Sequence, residues 1–228
     1  KDSTIWAARA LGVEIRHKNG RIESLEQING TQLGSVTALA EDTSHSLWIG
    51  SGVGTEGAYR YDGTHWEHFG ENEGLGARTV HKIVPDRRGR LWFLGLDSYD
   101  TSQYNPSNGP GVYIFESGSI RPWAHNGELP TGRVYAFAES RDSAYWFGTY
   151  TSLSRWKNGV WKYWTPSNGL RAQRTYTVAI DSQNRVWFGD QHNGLGYVAN
   201  DTIHFLTTAD GLVSDAVQDI KVDAKGKL

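Results

Sequence analysis

Along this chain, short runs in which apolar and polar residues alternate are broken every few positions by Asp, Asn and Gly. That is the pattern of β-strands joined by tight turns. Val36-Thr-Ala-Leu-Ala-Glu41 is followed by a polar turn, then by Leu47-Trp-Ile-Gly50, Ala58-Tyr-Arg-Tyr61, an Asp62-Gly63 turn, and His65-Trp-Glu-His-Phe69. The pattern therefore predicts four consecutive strands, A to D. The same order returns at Val134–Ala138, Tyr145–Gly148, Leu153–Trp156 and Val160–Trp164, with Asn158-Gly159 between C and D. It returns again at Tyr176–Ile180, Val186–Gly189, Gly194–Val198 and Ile203–Leu206, with Asn200-Asp201 in the turn. Asp-Gly and Asn-Gly between alternating segments signal hairpins. No stretch carries helical periodicity.

A second frame sets the register. An Asp, a polar turn and a Trp six residues after the Asp recur at Asp42 to Trp48, Asp86 to Trp92 and Asp181 to Trp187, and Ser140 takes the Asp position before Trp146. Trp6, Trp48, Trp92, Trp146 and Trp187 are spaced by 42, 44, 54 and 41 residues. A period near forty with four strands in each unit predicts an all-β fold, a β-propeller of four-stranded antiparallel blades. Five repeats are expected in one domain over 1–228: 1–34 together with 216–228, then 35–77, 78–132, 133–173 and 174–215.

The ends complement each other. The first repeat has segments B to D (Ile5–Ala8, Val13–Arg16, Arg21–Leu25), and Val217–Val222 reads as an A strand lacking the other three. Ala224–Leu228 would then compete with Lys1–Ile5 for one place. Both a closed five-bladed ring and a segment of a larger ring are open. With no Met in the chain, Lys1 is expected to be an interior residue of a longer product.

Trp146-Phe-Gly-Thr149, Leu47-Trp-Ile-Gly50, Tyr59-Arg-Tyr-Asp62 and Gly211-Leu212-Val-Ser214 resemble the two-component regulator propeller repeats, whose units read L-W-[IF]-G-T, G-L-x-R-[YF]-D and G-L-[PS]. The resemblance runs from end to end and departs at Trp6-Ala-Ala8 and at the insertion in repeat three. It implies a sensor region of a bacterial hybrid two-component receptor, periplasmic or extracellular, that recognises an oligosaccharide. Implied partners are a glycan or other small ligand, remaining blades, and a receptor or kinase.

Composition changes little in this picture. Aromatics at 12% and 27 glycines suit short strands and turns. A net charge of −2 points to neither nucleic acid nor an anionic membrane as a partner. The absence of cysteine excludes disulfides and thiolate metal sites, and no apolar run reaches membrane-spanning length.

Candidate chemistry lies in the irregular loops. Around the D-to-A connections stand Arg78, Arg133, Arg171 and Arg174, followed by His81, Tyr135 and Tyr176. Arginines gathered at one channel mouth can grip a carboxylate or sulfate bidentately. The competing reading pairs them with Asp215, Glu73 and Glu128. The long B-to-C loop of repeat three offers Tyr99 and Tyr104 for stacking on a sugar, with Asp97, Asp100 and Asn105 for its hydroxyls. The matching loop of repeat five adds Asp190 and His192.

Other motifs carry less. Gly52-Val-Gly-Thr-Glu-Gly57 lacks the helix a dinucleotide fingerprint needs. His65 and His68 fall on opposite strand faces. Arg87-Arg88-Gly-Arg90 reads as a solvated turn, and the tryptophans read as core. No catalytic residue, metal site or cofactor is assigned. The runner-up functions are a lyase or hydrolase using His81 with Tyr135 or His192 as an acid–base set, and an interaction scaffold with no small ligand.

Overall fold

The computed structural model describes residues 4–52, 56–77, 79–96, 111–171, 174–223 and 225–228. The chain divides into two compact units, Lys1–Asn126 and Gly127–Leu228.

The first unit opens with β1 (Ile5–Ala8), β2 (Val13–Arg16) and β3 (Ile22–Leu25), a three-stranded antiparallel sheet, and a two-stranded hairpin of β4 (Gln27–Ile28) and β5 (Thr31–Gln32). Two four-stranded meanders follow. One is β6 (Val36–Glu41), β7 (Leu47–Ser51), β8 (Ala58–Tyr61) and β9 (Trp66–Phe69). The other is β10 (Val80–Pro85), β11 (Leu91–Gly95), β12 (Val112–Glu116) and β13 (Ser119–Pro122). The second unit holds two more: β14 (Val134–Glu139), β15 (Tyr145–Thr149), β16 (Leu153–Lys157) and β17 (Val160–Trp164), then β18 (Thr177–Ile180), β19 (Val186–Gly189), β20 (Leu195–Ala199) and β21 (Thr202–Leu206). Every neighbouring pair is antiparallel and sequential, as short hairpin connections require.

The hairpins follow from their residues. Asn158-Gly159 and Asn200-Asp201 both hold positive φ at two successive positions, the two-residue turn whose twist matches that of the strands. Ser117-Gly118 makes the same turn in repeat three, where the sequence pattern had assigned none.

The Asp frame is a side-chain lock. Asp42 Oδ1 accepts the backbone N–H groups of Ser44 and Ser46, each at 2.9 Å, and Asp42 Oδ2 accepts the indole Nε1–H of Trp48 at 2.9 Å. Asp86 and Asp181 repeat all three bonds, with Trp92 and Trp187 as indole donors at 2.9 Å. The six-residue spacing is thus the distance that lets one carboxylate close its turn and satisfy the buried indole of the next strand. Each lock also holds an arginine. Arg60 reaches Asp42 from strand C, 3.2 Å from Oδ2, and Arg90 and Arg185 reach Asp86 and Asp181 from within the turn at 2.6 Å. Arg90 is therefore not part of a solvated cluster. Its guanidinium stands 5.4 Å from the Trp92 ring centroid, leaving Arg87 and Arg88 exposed.

The tryptophans are core, as expected. Trp48 and Trp92 are fully buried, and Trp146 and Trp187 nearly so. At about 25 cal/mol per Å2 and roughly 150–250 Å2 each, such a ring contributes about 4–6 kcal/mol of gross burial energy. In the first unit Trp48 meets Phe93 and Phe115 of the following sheet edge-on, at 5.2 and 4.7 Å between centroids. In the second, Trp146, Trp164, Leu170, Val178 and Phe188 close the corresponding core. The strand B glycines permit this approach. A Cβ on Gly148 would lie 2.5 Å from the Thr175 carbonyl oxygen, and one on Gly189 would lie 2.5 Å from that of Val217.

Val217–Val222, expected as an A strand, forms no strand. It reaches β19 through Val217, whose N–H donates to the Asp190 carbonyl at 2.6 Å, but among the described residues no strand B pairs with it. A lone segment has no ladder partner for its backbone groups. Asp223 nonetheless makes the frame's turn, accepting Lys225 and Lys227 N–H groups at 2.8 Å each.

Candidate functional site

Strand A carries a defect at a fixed place. Val36 pairs with Ser51 and Ala38 with Gly50, leaving Thr37 extra; His81 and Tyr135 are the extra residues of β10 and β14. Tyr176 falls at the equivalent point, just before β18, its N–H donating to the Gly189 carbonyl at 3.0 Å. A bulge bends the strand and re-aims one side chain out of the alternation. His81, Tyr135 and Tyr176 are therefore one structural class. Two residues upstream, Arg133 and Arg174 also occupy equivalent positions.

In the second unit these positions converge. The Tyr135 and Tyr176 rings lie 5.0 Å apart between centroids at 56°. Arg174 Nη1 donates to the Tyr176 hydroxyl at 3.2 Å, and its guanidinium stands 4.9 Å from the ring centroid of Tyr150, over which Arg133 also stands at 5.3 Å. Tyr150, in the B-to-C loop of repeat four, is anchored by its N–H on the Arg133 carbonyl at 3.2 Å. The sequence pattern passed over Tyr150, although its loop is the counterpart of the one that begins at Asp190.

The arrangement separates the phenols. The hydrogen bond from Arg174 holds the Tyr150 hydroxyl below the ordinary tyrosine range, with the charges of Arg174 and Arg133 adding to it. Burial pushes Tyr135 upward, against the opposing charges of Arg174 and Arg133. Arg174 itself is held above its usual value, first by the Tyr176 hydroxyl and then by that of Tyr150.

Beside Arg174 and Tyr176, the loop Asp190–Asn193 closes a cavity of about 240 Å3. Asp190 is buried, and its carboxylate accepts the backbone N–H groups of His192 and Asn193 and the Asn193 side-chain amide, all at 2.7 Å. Its role is thus to shape the loop, while Gln191 and His192 stand exposed along the cavity. The volume lies below the roughly 300–1,000 Å3 of pockets that take drug-sized ligands, so it suits one small group or one unit of a longer polar chain.

The remaining candidates are placed as follows. Arg78, Tyr99 and Tyr104, with Asp97, Asp100 and Asn105, lie outside the described residues. His81 belongs to the first unit, where burial, aided by the charge of Lys82, pushes its imidazole down to about 4. Arg171 stands over Phe205 at 4.8 Å. Two of the three acids expected as partners of the arginines make bonds within their own loops. Asp215 accepts the Thr208 N–H at 2.7 Å, and the Glu73 carboxylate accepts the Gly70 N–H at 2.9 Å. Among the described residues no group of three or more His, Asp or Glu side chains could hold a metal ion, and no helix is long and apolar enough to cross a membrane.

No protein-family model matches the chain, and no curated protein sequence does. Solved structures share its fold. The extracellular domain of BT3049, a candidate hybrid two-component system from B. thetaiotaomicron, is similar at a TM-score of 0.76 and 16% identity, over 99% of this chain and 31% of that one. The extracellular domain of BT4673, a candidate one-component system from the same organism, gives 0.72 and 17%, over 98% and 29%. A catalytically inactive virginiamycin B lyase from Staphylococcus aureus, solved with quinupristin, gives 0.59 and 17%, over 90% and 66%. The chain thus spans about a third of the length of the two receptor domains. It shares the fold of these two extracellular domains.

Proposed function

We propose that this chain is part of an extracytoplasmic sensor propeller, five repeats of a larger or closed ring, which holds a small polar ligand and reports its occupancy to a receptor. The ligand class favoured by the site is a glycan bearing a carboxylate or sulfate. One observation carries this reading: Arg133 and Arg174 converge on Tyr150 and Tyr176 beside a cavity lined by polar loop residues. Guanidinium groups grip an oxyanion bidentately, and tyrosine rings present apolar faces to a sugar together with a hydroxyl for its polar edge. Asp190 keeps the loop in one shape before the ligand arrives, which lowers the ordering cost of binding.

Isothermal calorimetry against matched neutral and acidic oligosaccharides tests the proposal. Saturable heat is expected for acidic members, weakened at least tenfold in Arg174→Ala and in Tyr150→Ala. Silence across the panel, or binding untouched by both substitutions, refutes it. Turnover of a sugar that disappears in His192→Ala would instead move the assignment to an enzyme.

A further inference from the structure

The chain places Gly directly after Asn seven times, at Asn19, Asn29, Asn108, Asn126, Asn158, Asn168 and Asn193. This dipeptide carries its own chemistry. The backbone nitrogen that follows an Asn can attack the side-chain amide carbon, and a Gly there has no Cβ to obstruct the approach. In a folded chain two conditions apply: the amide must be able to swing over the next peptide, and the attacking N–H must not be held by another acceptor.

Four of the six described pairs fail on at least one count. The Asn126 amide accepts the Val112 N–H at 3.1 Å and donates to the Val112 and Trp123 carbonyls at 2.6 and 2.8 Å. The Asn168 amide accepts the Thr165 N–H at 2.6 Å and donates to the Tyr163 carbonyl at 2.9 Å. At Asn193 the amide donates to Asp190 at 2.7 Å, and the Gly194 N–H donates to the Asp215 carbonyl at 2.9 Å. At Asn19 the amide oxygen accepts the Arg21 N–H at 3.0 Å, and the Gly20 N–H donates to the His17 carbonyl at 2.9 Å. Asn108 lies outside the described residues.

The other two pairs make the same turn. Asn29-Gly30 joins β4 to β5 with φ of 49° and 82°, and Asn158-Gly159 joins β16 to β17 with φ of 51° and 81°. They differ in one tether. Asn29 Nδ2 donates to the Trp66 carbonyl at 3.3 Å, which ties its amide to β9. Among the described residues neither the Asn158 amide nor the Gly159 N–H has a hydrogen-bond partner. Both residues are exposed, and a Cβ on Gly159 would meet nothing within 4 Å. Strand pairing resumes at Lys157 and Val160, so the peptide between Asn158 and Gly159 can turn without breaking a ladder bond.

We propose that Asn158-Gly159 is a site of spontaneous covalent modification, deamidating and isomerising ahead of the other described Asn-Gly pairs. The Gly159 nitrogen attacks Asn158 Cγ. The N–Cγ bond forms, the Cγ–Nδ2 bond breaks, and the proton of the Gly159 N–H leaves with the amide nitrogen as ammonia. Water then opens the cyclic imide at either carbonyl, leaving aspartate or isoaspartate at 158 and adding one negative charge. That charge arrives beside Lys157, whose amine is paired with Asp142 at 2.5 Å. The isoaspartyl product also inserts an extra backbone carbon into the turn and displaces Val160 from its place opposite Lys157.

The test is to age the intact protein in mildly alkaline buffer made with heavy-oxygen water, digest it, and compare its Asn-Gly peptides by mass spectrometry. Asn158 should gain heavy oxygen, as both aspartyl and isoaspartyl forms, at least tenfold faster than Asn19, Asn126, Asn168 and Asn193, and faster than the tethered Asn29. In urea, where the fold holds none of them, the pairs should react within a few-fold of one another. Asn158→Gln, whose longer side chain closes the imide slowly, should remove the fast event. If that variant fails to fold, the comparison of native and unfolded chain decides. A native rate at Asn158 no greater than at any other described pair, or the same ratio of rates in native buffer and in urea, would overturn the proposal.

Discussion

Removing the acceptor of a complete lock should cost far more than removing the serine of the incomplete one, and Asp42→Ala against Ser140→Ala measures the difference. Asp42 receives four donors: Ser44 N–H, Ser46 N–H and Trp48 Nε1–H at 2.9 Å each, and Arg60 Nε–H at 3.2 Å. Two of them find other partners after truncation. Ser44 is exposed and its N–H takes water, and Arg60 retains Glu67 at 3.4 Å. The Trp48 indole and the Ser46 N–H, both in buried residues, are stranded. At about 1–3 kcal/mol for each orphaned buried donor, the expected cost is about 4 kcal/mol. Ser140→Ala gives up one hydrogen bond to the Asp142 carboxylate, about 2 kcal/mol, because Trp146 Nε1 has no partner to lose. The assay is urea unfolding followed by tryptophan fluorescence and circular dichroism, with the slopes checked for equality. A difference near 2 kcal/mol is expected. Equal costs, to within about 0.5 kcal/mol, would refute the reasoning that the carboxylate holds the tryptophan. Acid supplies a second reading of the same bond. Burial pushes the Asp42 carboxyl up, but the Trp48 indole, the Ser46 and Ser44 N–H groups and Arg60 outweigh it and hold the group below its ordinary value. A depressed folded pKa contributes stability that is complete above the unfolded value, about 4, and lost as pH falls through the folded value. The advantage of the native chain over Asp42→Ala should shrink in that acidic window and nowhere above it.

Two further outcomes are expected. His81, held down to about 4 by burial and by Lys82, should stay neutral through mild acid in imidazole NMR titrations; because the unfolded chain then binds the extra proton, stability should fall between about pH 6.5 and 4, and a His81→Gln variant should lose that part of the slope. Tyr150 should ionise below the ordinary tyrosine range in an ultraviolet phenolate titration, and Arg174→Ala should move that transition upward; an unchanged curve would contradict the Arg174 contact.

Most of the strands, their order and the Asn-Gly and Asn-Asp turns were legible in the sequence because they rest on local chemistry, whereas the Ser117-Gly118 turn and the β4–β5 hairpin were not. Alternation decides which face of a strand is buried, Asn-Gly and Asn-Asp allow the left-handed turn positions, and an Asp two and four residues before free N–H groups closes its own turn. Each of these relations lies within a few residues along the chain, and so survives in the one-dimensional pattern. The failures share one cause as well. Val217–Val222 has the composition of a strand, but a strand is a relation between two segments, and among the described residues no strand forms a ladder with it, although Val217 and Ile220 make single bonds to Asp190 and Thr177.

The candidate site was legible in part. Arg133, Tyr135, Arg174 and Tyr176 stand out because they recur at equivalent repeat positions, and the bulge explains why that position faces away from the sheet's alternation. Tyr150 recurs nowhere, so only its approach to Arg133 and Arg174 marks it. Asp190, which reads from sequence as a ligand contact, lines the cavity and also shapes its own loop, a second role that the sequence did not show.

The sequence by itself thus determined the period, the strand class, the turns and the burial of the tryptophans, since these depend on neighbours in the chain. Tertiary structure decided which donors are satisfied. Whether Trp146 has an acceptor, whether Arg155 has a counter-charge, and which rings Arg174 lies over depend on atoms brought together from separate strands. Hydrogen bonds and ion pairs act over about 3–4 Å, a distance that sequence separation does not report.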